Sequence, residues 1–197
     1  MRDLEIRGAG NILGVHQHGF IAAVGFEMYC RLLEETVKEI RGETSAAPNV
    51  KEVTLDIPLD AFIPADYVED GTARISVYQE LSGANAVSDI DEVERELVDR
   101  FGPMPKSVIA LLLMMRTKVC ARALGYVKVS IAVDGGLTLT LEGDDTLVRE
   151  TIGRIVSTSK RQFDIVTGPP VTLHARLTAA SVEDMVLETN NLLSLQA

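Results

Sequence analysis

The chain has 197 residues, 46% of them hydrophobic and 24% charged, with two cysteines and a net charge of −10. This composition excludes a disordered chain and a disulfide scaffold, and no stretch approaches the roughly 20 apolar residues of a membrane helix. Because no signal-peptide pattern stands at its start, we expect a soluble, cytoplasmic protein whose acidic charge disfavours unaided binding to nucleic acid.

The N-terminal part is predicted to be a glycine-rich block followed by one long helix. Apolar side chains recur at helical spacing from Phe20 to Val37, and the helix is expected to end at Gly42 because glycine commonly terminates helices. The residues that follow have the composition of a linker. We therefore divide the chain into residues 1–42 and a C-terminal domain over residues 43–197.

The middle of the chain is predicted to form a strand and two helices. Val53 and Leu55 alternate with polar residues, which is the pattern of a half-buried strand. A helix is then expected to end at Gly83, with its apolar side chains Ile75, Tyr78 and Leu81 turned inward. A second, amphipathic helix covers residues 89–100. Its apolar face is predicted to hold Ile90, Val93, Leu97 and Val98.

The last part is predicted to contain a buried helix and a small sheet. The helix runs from Pro105 to Leu124 and is apolar on nearly every side. The turn Asp134-Gly135-Gly136 predicts a hairpin between strands at residues 126–133 and 137–141. A helix, two short strands and a final helix follow, at residues 147–156, 163–166, 171–177 and 182–193.

These elements predict an α+β fold, because helices and hairpins occur in separate runs rather than in βαβ units. We expect an N-terminal helical and loop segment with a long linking helix. A compact domain of several helices with a small, mostly antiparallel sheet should follow.

The negative charge is concentrated in the middle of the chain. Residues 43–101 hold fourteen acidic and four basic side chains, so the whole excess lies there, much of it on the helix at residues 89–100. Acidic residues near a helix start are favoured by the helix dipole, and a solvated face explains them. A docking surface for a basic partner explains them equally well, and both interpretations stay open.

Motifs for catalysis are absent from the sequence. A P-loop needs Gly-Lys, which occurs nowhere, and Asp91-Glu92-Val93-Glu94 lacks the preceding strand of an ATPase metal site. The glycines of residues 8–14 lack the spacing and the preceding strand of a dinucleotide site. His16 and His18 have no cysteine pair with zinc-site spacing to join them. We therefore expect a non-catalytic chain without a metal or cofactor of its own.

Residues 2–14, together with Gln17 and Gly19, closely resemble the translocation motif of the bacterial transcription-repair coupling factor family, Mfd, which RecG shares in related form. In that family the motif couples ATP-driven movement of the helicase lobes to stepping on duplex DNA. His18 departs from the pattern, since many relatives carry serine there. The resemblance implies motor-coupling roles for Arg2, Asp3, Arg7, Gly8, Gly10, Gly14, Gln17 and Gly19.

The resemblance continues to about residue 125, through Ile63-Pro64 and the run from Glu96 to Pro103, which are similar to the family's C-terminal domain. It implies that the chain is the C-terminal fragment of an ATP-dependent DNA translocase, whose ATP and Mg sites lie in an upstream motor. The implied partners of that parent are duplex DNA, RNA polymerase and UvrA, with no membrane.

The resemblance also implies a role for the acidic helix. In this family the C-terminal domain docks on a UvrB-like N-terminal module and hides the surface that recruits UvrA. Glu96 and Asp99 are three residues apart and share a helix face, and we expect them to pair with arginines of that module. Two alternatives stay open: a free-standing enzyme that binds phosphate or a nucleotide at the glycine-rich loop, and an acidic adaptor with no motor.

Overall fold

The computed structural model describes residues 52–159 and 161–195. The predictions for residues 1–42, including the long helix, the domain division and the translocation motif, lie outside this part of the chain. The elements in chain order are β1 (Thr54–Asp56), α1 (Gly71–Gly83), α2 (Val87–Phe101), α3 (Lys106–Ala123), β2 (Tyr126–Ile131), β3 (Gly136–Leu141), α4 (Asp145–Thr158), β4 (Asp164–Val166), β5 (Val171–Arg176) and α5 (Val182–Ser194).

The five strands form one sheet in the order β1-β2-β3-β5-β4. β1 pairs with β2 in parallel, and the other neighbours pair antiparallel. The predicted hairpin joins β2 to β3, and Gly135 takes a φ of 88° in its turn, a conformation that glycine adopts easily. β2 ends at Ile131, earlier than predicted, because the Gly135 amide closes the turn on the Ala132 carbonyl at 2.9 Å. The α+β class with a mostly antiparallel sheet is confirmed.

Helices cover one face of the sheet. Leu55, Val129, Leu139 and Leu173 lie side by side across four strands, and each is at most 9% exposed. α3 packs on β1 and β2, while α5 packs on α3 and β2. The prediction of a central buried helix is confirmed by α3. The opposite face of the sheet is polar, as expected when one side of an antiparallel sheet meets water.

Two helix faces differ from those predicted. In α1, Arg74 is buried while Ile75 is only half-buried. Arg74 turns inward because its guanidinium donates hydrogen bonds to the carbonyl oxygens of Val68 and Glu69, which give the buried charge polar partners. In α2, the assignment of Val98 to the apolar face is wrong, since Val98 is 46% exposed.

None of the helices in the described ranges has the length and apolar content that crossing a bilayer requires.

Candidate functional site

The acidic helix α2 begins with a carboxylate that replaces a missing cap. Ala86 precedes the helix and has no side-chain acceptor, so Asp89 accepts hydrogen bonds from the amides of Asn85 and Ala86 at 2.8 and 3.0 Å. These backbone hydrogen bonds, that from Asn85 first, lower the pKa of Asp89. The acid nearest the helix start is therefore committed to the fold and is not available to a partner.

The acids on the α3 side of α2 are paired within the domain. Arg116 of α3 donates to Asp91 at 2.7 Å and also binds Glu94. Burial by itself would lower the pKa of Arg116, but the hydrogen bonds that it donates to Asp91 and Glu94, together with their negative charges, outweigh this effect and raise that pKa. Asp91 and Glu94 are thus neutralised by a cation from a neighbouring helix.

The acids on the outer side of α2 have only local partners. Glu96 forms an ion pair with Arg100, one turn further along the same helix, and both side chains are about half exposed. Asp99 is exposed and has no ion-pair partner within the described ranges. Glu96 and Asp99 therefore lie on one accessible face of α2, as their spacing predicts. We call this the outer acidic face.

The end of α2 that carries the outer acidic face is held firmly. The hydroxyl of Tyr67 lies 3.1 Å from the Leu97 carbonyl oxygen and 3.0 Å from that of Gly102, and it can donate to either. The guanidinium of Arg100 stacks 5.0 Å from the centre of the Phe101 ring, and Tyr67 packs against the same ring. These contacts fix the last turn of α2, so Glu96 and Asp99 project from a rigid support.

The sequence did not show which acidic side chains of α2 are paired within the domain and which remain exposed. Arg116 and Asp91 are 25 residues apart, and no local pattern predicts that they pair. The available signal was Arg116 itself, a cation that directly follows the apolar run from Val108 to Met115 in the predicted central helix. Such a cation needs a partner when its helix is buried.

In the described ranges, no three histidine, cysteine or carboxylate side chains cluster in a way that suits a metal ion. The predicted motor-coupling residues, from Arg2 to Gly19, lie outside those ranges and are not tested.

Comparisons of the sequence with known proteins all find transcription-repair coupling factors. The sequence profile of the TRCF domain family matches residues 57–151. The transcription-repair-coupling factor of Bacillus subtilis is 43% identical over 122 residues, which is 62% of this chain and 10% of that protein. That of Staphylococcus haemolyticus is 44% identical over 121 residues, 61% of this chain and again 10% of the relative. The chain thus spans about a tenth of the length of these relatives.

A solved structure has the same fold. A crystal structure of the C-terminal domain of a transcription-repair coupling factor superposes with a TM-score of 0.59 at 19% sequence identity. The match covers 74% of this chain and 94% of that one.

Proposed function

From the match of residues 57–151 to the TRCF domain family, we propose that this chain carries the C-terminal domain of a transcription-repair coupling factor and that it is an autoinhibitory docking domain. In this proposal the outer acidic face binds arginines of a UvrB-like module in the parent protein and so masks the surface that recruits UvrA. The parent is a cytoplasmic ATP-dependent DNA translocase that acts on stalled RNA polymerase.

The observation that supports the proposal most directly is that the acidic side chains of α2 differ in their ion-pair partners. Asp91 and Glu94 receive Arg116 from another helix, whereas Glu96 has only Arg100 of its own helix and Asp99 has no ion-pair partner in the described part of the chain. An exposed pair within one helix contributes only about 0.3–0.5 kcal/mol. Glu96 can therefore exchange Arg100 for a partner's arginine at little cost.

The strength of such a contact suits reversible masking. A few charge pairs, partly desolvated at an interface, couple two sites by about 1–3 kcal/mol. That is enough to favour a closed state several-fold and small enough for an engaged partner to open it. A buried apolar interface would instead hold the two modules together permanently.

The first test is the salt dependence of docking. The 197-residue chain is titrated by calorimetry with the isolated UvrB-like module of its parent at about 50 mM and about 500 mM salt, since the higher concentration shortens the screening length roughly threefold. We expect the affinity to fall by about tenfold or more, because the contact is formed mainly by exposed charges. An affinity that is equal at both salt concentrations would contradict the electrostatic latch.

We also propose that residues 2–19 couple the motor of the parent to movement on DNA. The basis is the resemblance to the family's translocation motif, which extends over Arg2, Asp3, Arg7, Gly8, Gly10, Gly14, Gln17 and Gly19. ATP and Mg would be bound by the parent's helicase lobes, and this chain would contribute no catalytic residue.

Replacing Arg7 or Gln17 by alanine in the parent should separate the two activities. We expect ATP hydrolysis to continue at a reduced rate while displacement of a DNA triplex strand, a direct measure of translocation, falls by about tenfold or more, as when a positioning group is lost. Alanine at His18, which departs from the family pattern, is the control and should retain translocation. Normal strand displacement by both test variants would remove these residues from the coupling role.

A further inference from the structure

A groove that the docking role does not use opens between α4 and the loop that joins β4 to β5. Its volume is about 940 Å³. Both walls are mainly aliphatic, formed by Leu141, Val148, Ile152, Pro169, Pro170 and Val171. None of these residues belongs to α2, so the groove is separate from the outer acidic face.

β4, the strand that leads into the loop wall of this groove, has an edge with no strand partner in the described part of the chain. β4 is the last strand of the sheet and pairs only with β5 within the described ranges. Ile165 lies opposite Leu173, in the row of the sheet whose other members form the core, yet Ile165 is 39% exposed while Leu173 is fully buried. The apolar row therefore continues beyond the helices that cover it. β4 itself carries neither proline nor lysine, two residue types that block pairing at sheet edges.

We propose that the β4 edge and the adjoining groove bind an extended peptide segment of a partner protein, one with alternating aliphatic side chains and flanking arginine or lysine. The exposed backbone groups on the outer edge of β4 have no strand partner within the described ranges, and strand addition by a peptide would pair them. β4 has three residues, so pairing alone is weak, and side chains that enter the groove must supply the remaining affinity.

The charge at the groove favours a basic peptide. Glu142, Asp144 and Asp145 line one end, and Arg149 is the only cation among the lining residues. Asp144 caps α4 by accepting a hydrogen bond from the Leu147 amide at 2.8 Å. A flanking arginine of the peptide would thus meet a net negative rim, which favours association and sets the direction of the peptide.

The test uses a labelled seven-residue peptide in which valine alternates with threonine and arginine stands at both ends. It is titrated into the 197-residue chain while backbone amide signals are followed by NMR. We expect signals of residues 142–152 and 164–171 to shift. A peptide with glutamate in place of both arginines should bind about tenfold more weakly. A peptide with proline at the centre should lose binding, because it lacks the amide that a strand must donate.

Variants of the protein locate the site. Ile165→Lys places a charge on the edge strand, and Ile152→Ser removes an aliphatic wall of the groove. Each should weaken binding of the valine peptide by about tenfold, the change expected for losing one buried aliphatic contact. Leu187→Lys is the matched control, because Leu187 is similarly exposed on α5 and outside the groove, and it should bind like the parent sequence.

Three results would overturn the proposal. The first is the absence of shifts at residues 142–152 and 164–171 with the valine peptide, and the second is equal binding of the proline peptide. The third is self-association of the chain without peptide that Ile165→Lys abolishes, since the occupant of the edge would then be a second copy.

Discussion

Reversing both charges of the outer acidic face, with Glu96→Lys and Asp99→Lys together, is expected to weaken docking of the UvrB-like module by roughly 100-fold, or about 2.7 kcal/mol. Each substitution removes an attraction and introduces a repulsion towards the same arginine. In the full-length parent the same pair of changes should raise UvrA affinity, because the masked surface becomes accessible. Calorimetry with the isolated module and UvrA binding to the full-length variant measure the two effects.

The control for this experiment carries the same change in net charge elsewhere. Glu80→Lys with Glu150→Lys alters two exposed acids that lie on α1 and α4 and are not part of the outer acidic face. It should leave docking within about threefold of the original value, since distant exposed charges are screened. The fold should survive in both double variants, because all four side chains are exposed. Unchanged UvrA affinity in the Glu96 and Asp99 variant would contradict autoinhibition through this face.

Removing the carboxylate of Glu188 is expected to lower the free energy of unfolding by about 2–4 kcal/mol, because several charge-assisted hydrogen bonds are lost together. Glu188 lies on α5 and accepts from the Thr178 amide at 3.0 Å, the Thr178 hydroxyl at 2.9 Å and the Ala179 amide at 3.2 Å. It also forms an ion pair with Arg161, which donates a second hydrogen bond to the carbonyl of Arg176. The Glu188 carboxylate thus connects α5 with residues 178–179 and with the segment that contains Arg161.

Urea denaturation of Glu188→Ala at neutral pH measures the loss. Glu188→Gln keeps an acceptor oxygen and should lose less stability, while Glu150→Ala, at an exposed position, should change stability by no more than about 0.5 kcal/mol. A loss for Glu188→Ala that equals the loss for Glu150→Ala would show that this cluster does not stabilise the domain.

The contribution of Glu188 should depend on pH in a defined direction. Burial by itself would raise the pKa of Glu188, but the hydrogen bonds from Thr178 and Ala179 and the charge of Arg161 outweigh it, and the pKa lies below its ordinary value of 4.5. Stability that comes from a lowered carboxyl pKa is present above the unfolded value and is lost as pH falls through the folded value. The stability difference between the original chain and Glu188→Ala should therefore shrink below pH 4.5.

Much of the fold was predictable from short stretches of sequence. The hairpin around Gly135, the buried helix α3 and the order of the later strands and helices were all predicted and are confirmed. The shared face of Glu96 and Asp99 was predicted from their spacing. The resemblance to the family's C-terminal domain is confirmed as well, by the match over residues 57–151.

Two features of the candidate site could not be predicted in this way. Val98 follows the apolar spacing of α2 but is 46% exposed. The pairing of Arg116 with Asp91 and Glu94 depends on how two helices pack, and it decides which acids stay available to a partner. The sequence of the central helix indicates that Arg116 needs a partner, but it does not indicate which residue that partner is.

The sequence alone determined which helices and strands form along residues 52–195, in what order they follow and which helix is acidic, because periodicity and turns depend on residues within a few positions of one another. The tertiary structure decided three further features. β1 joins β2 in parallel, β5 lies between β3 and β4, and Arg116 neutralises one side of α2 while leaving the other open. These features depend on contacts between residues far apart in the chain, whose geometry is set only when the whole core packs.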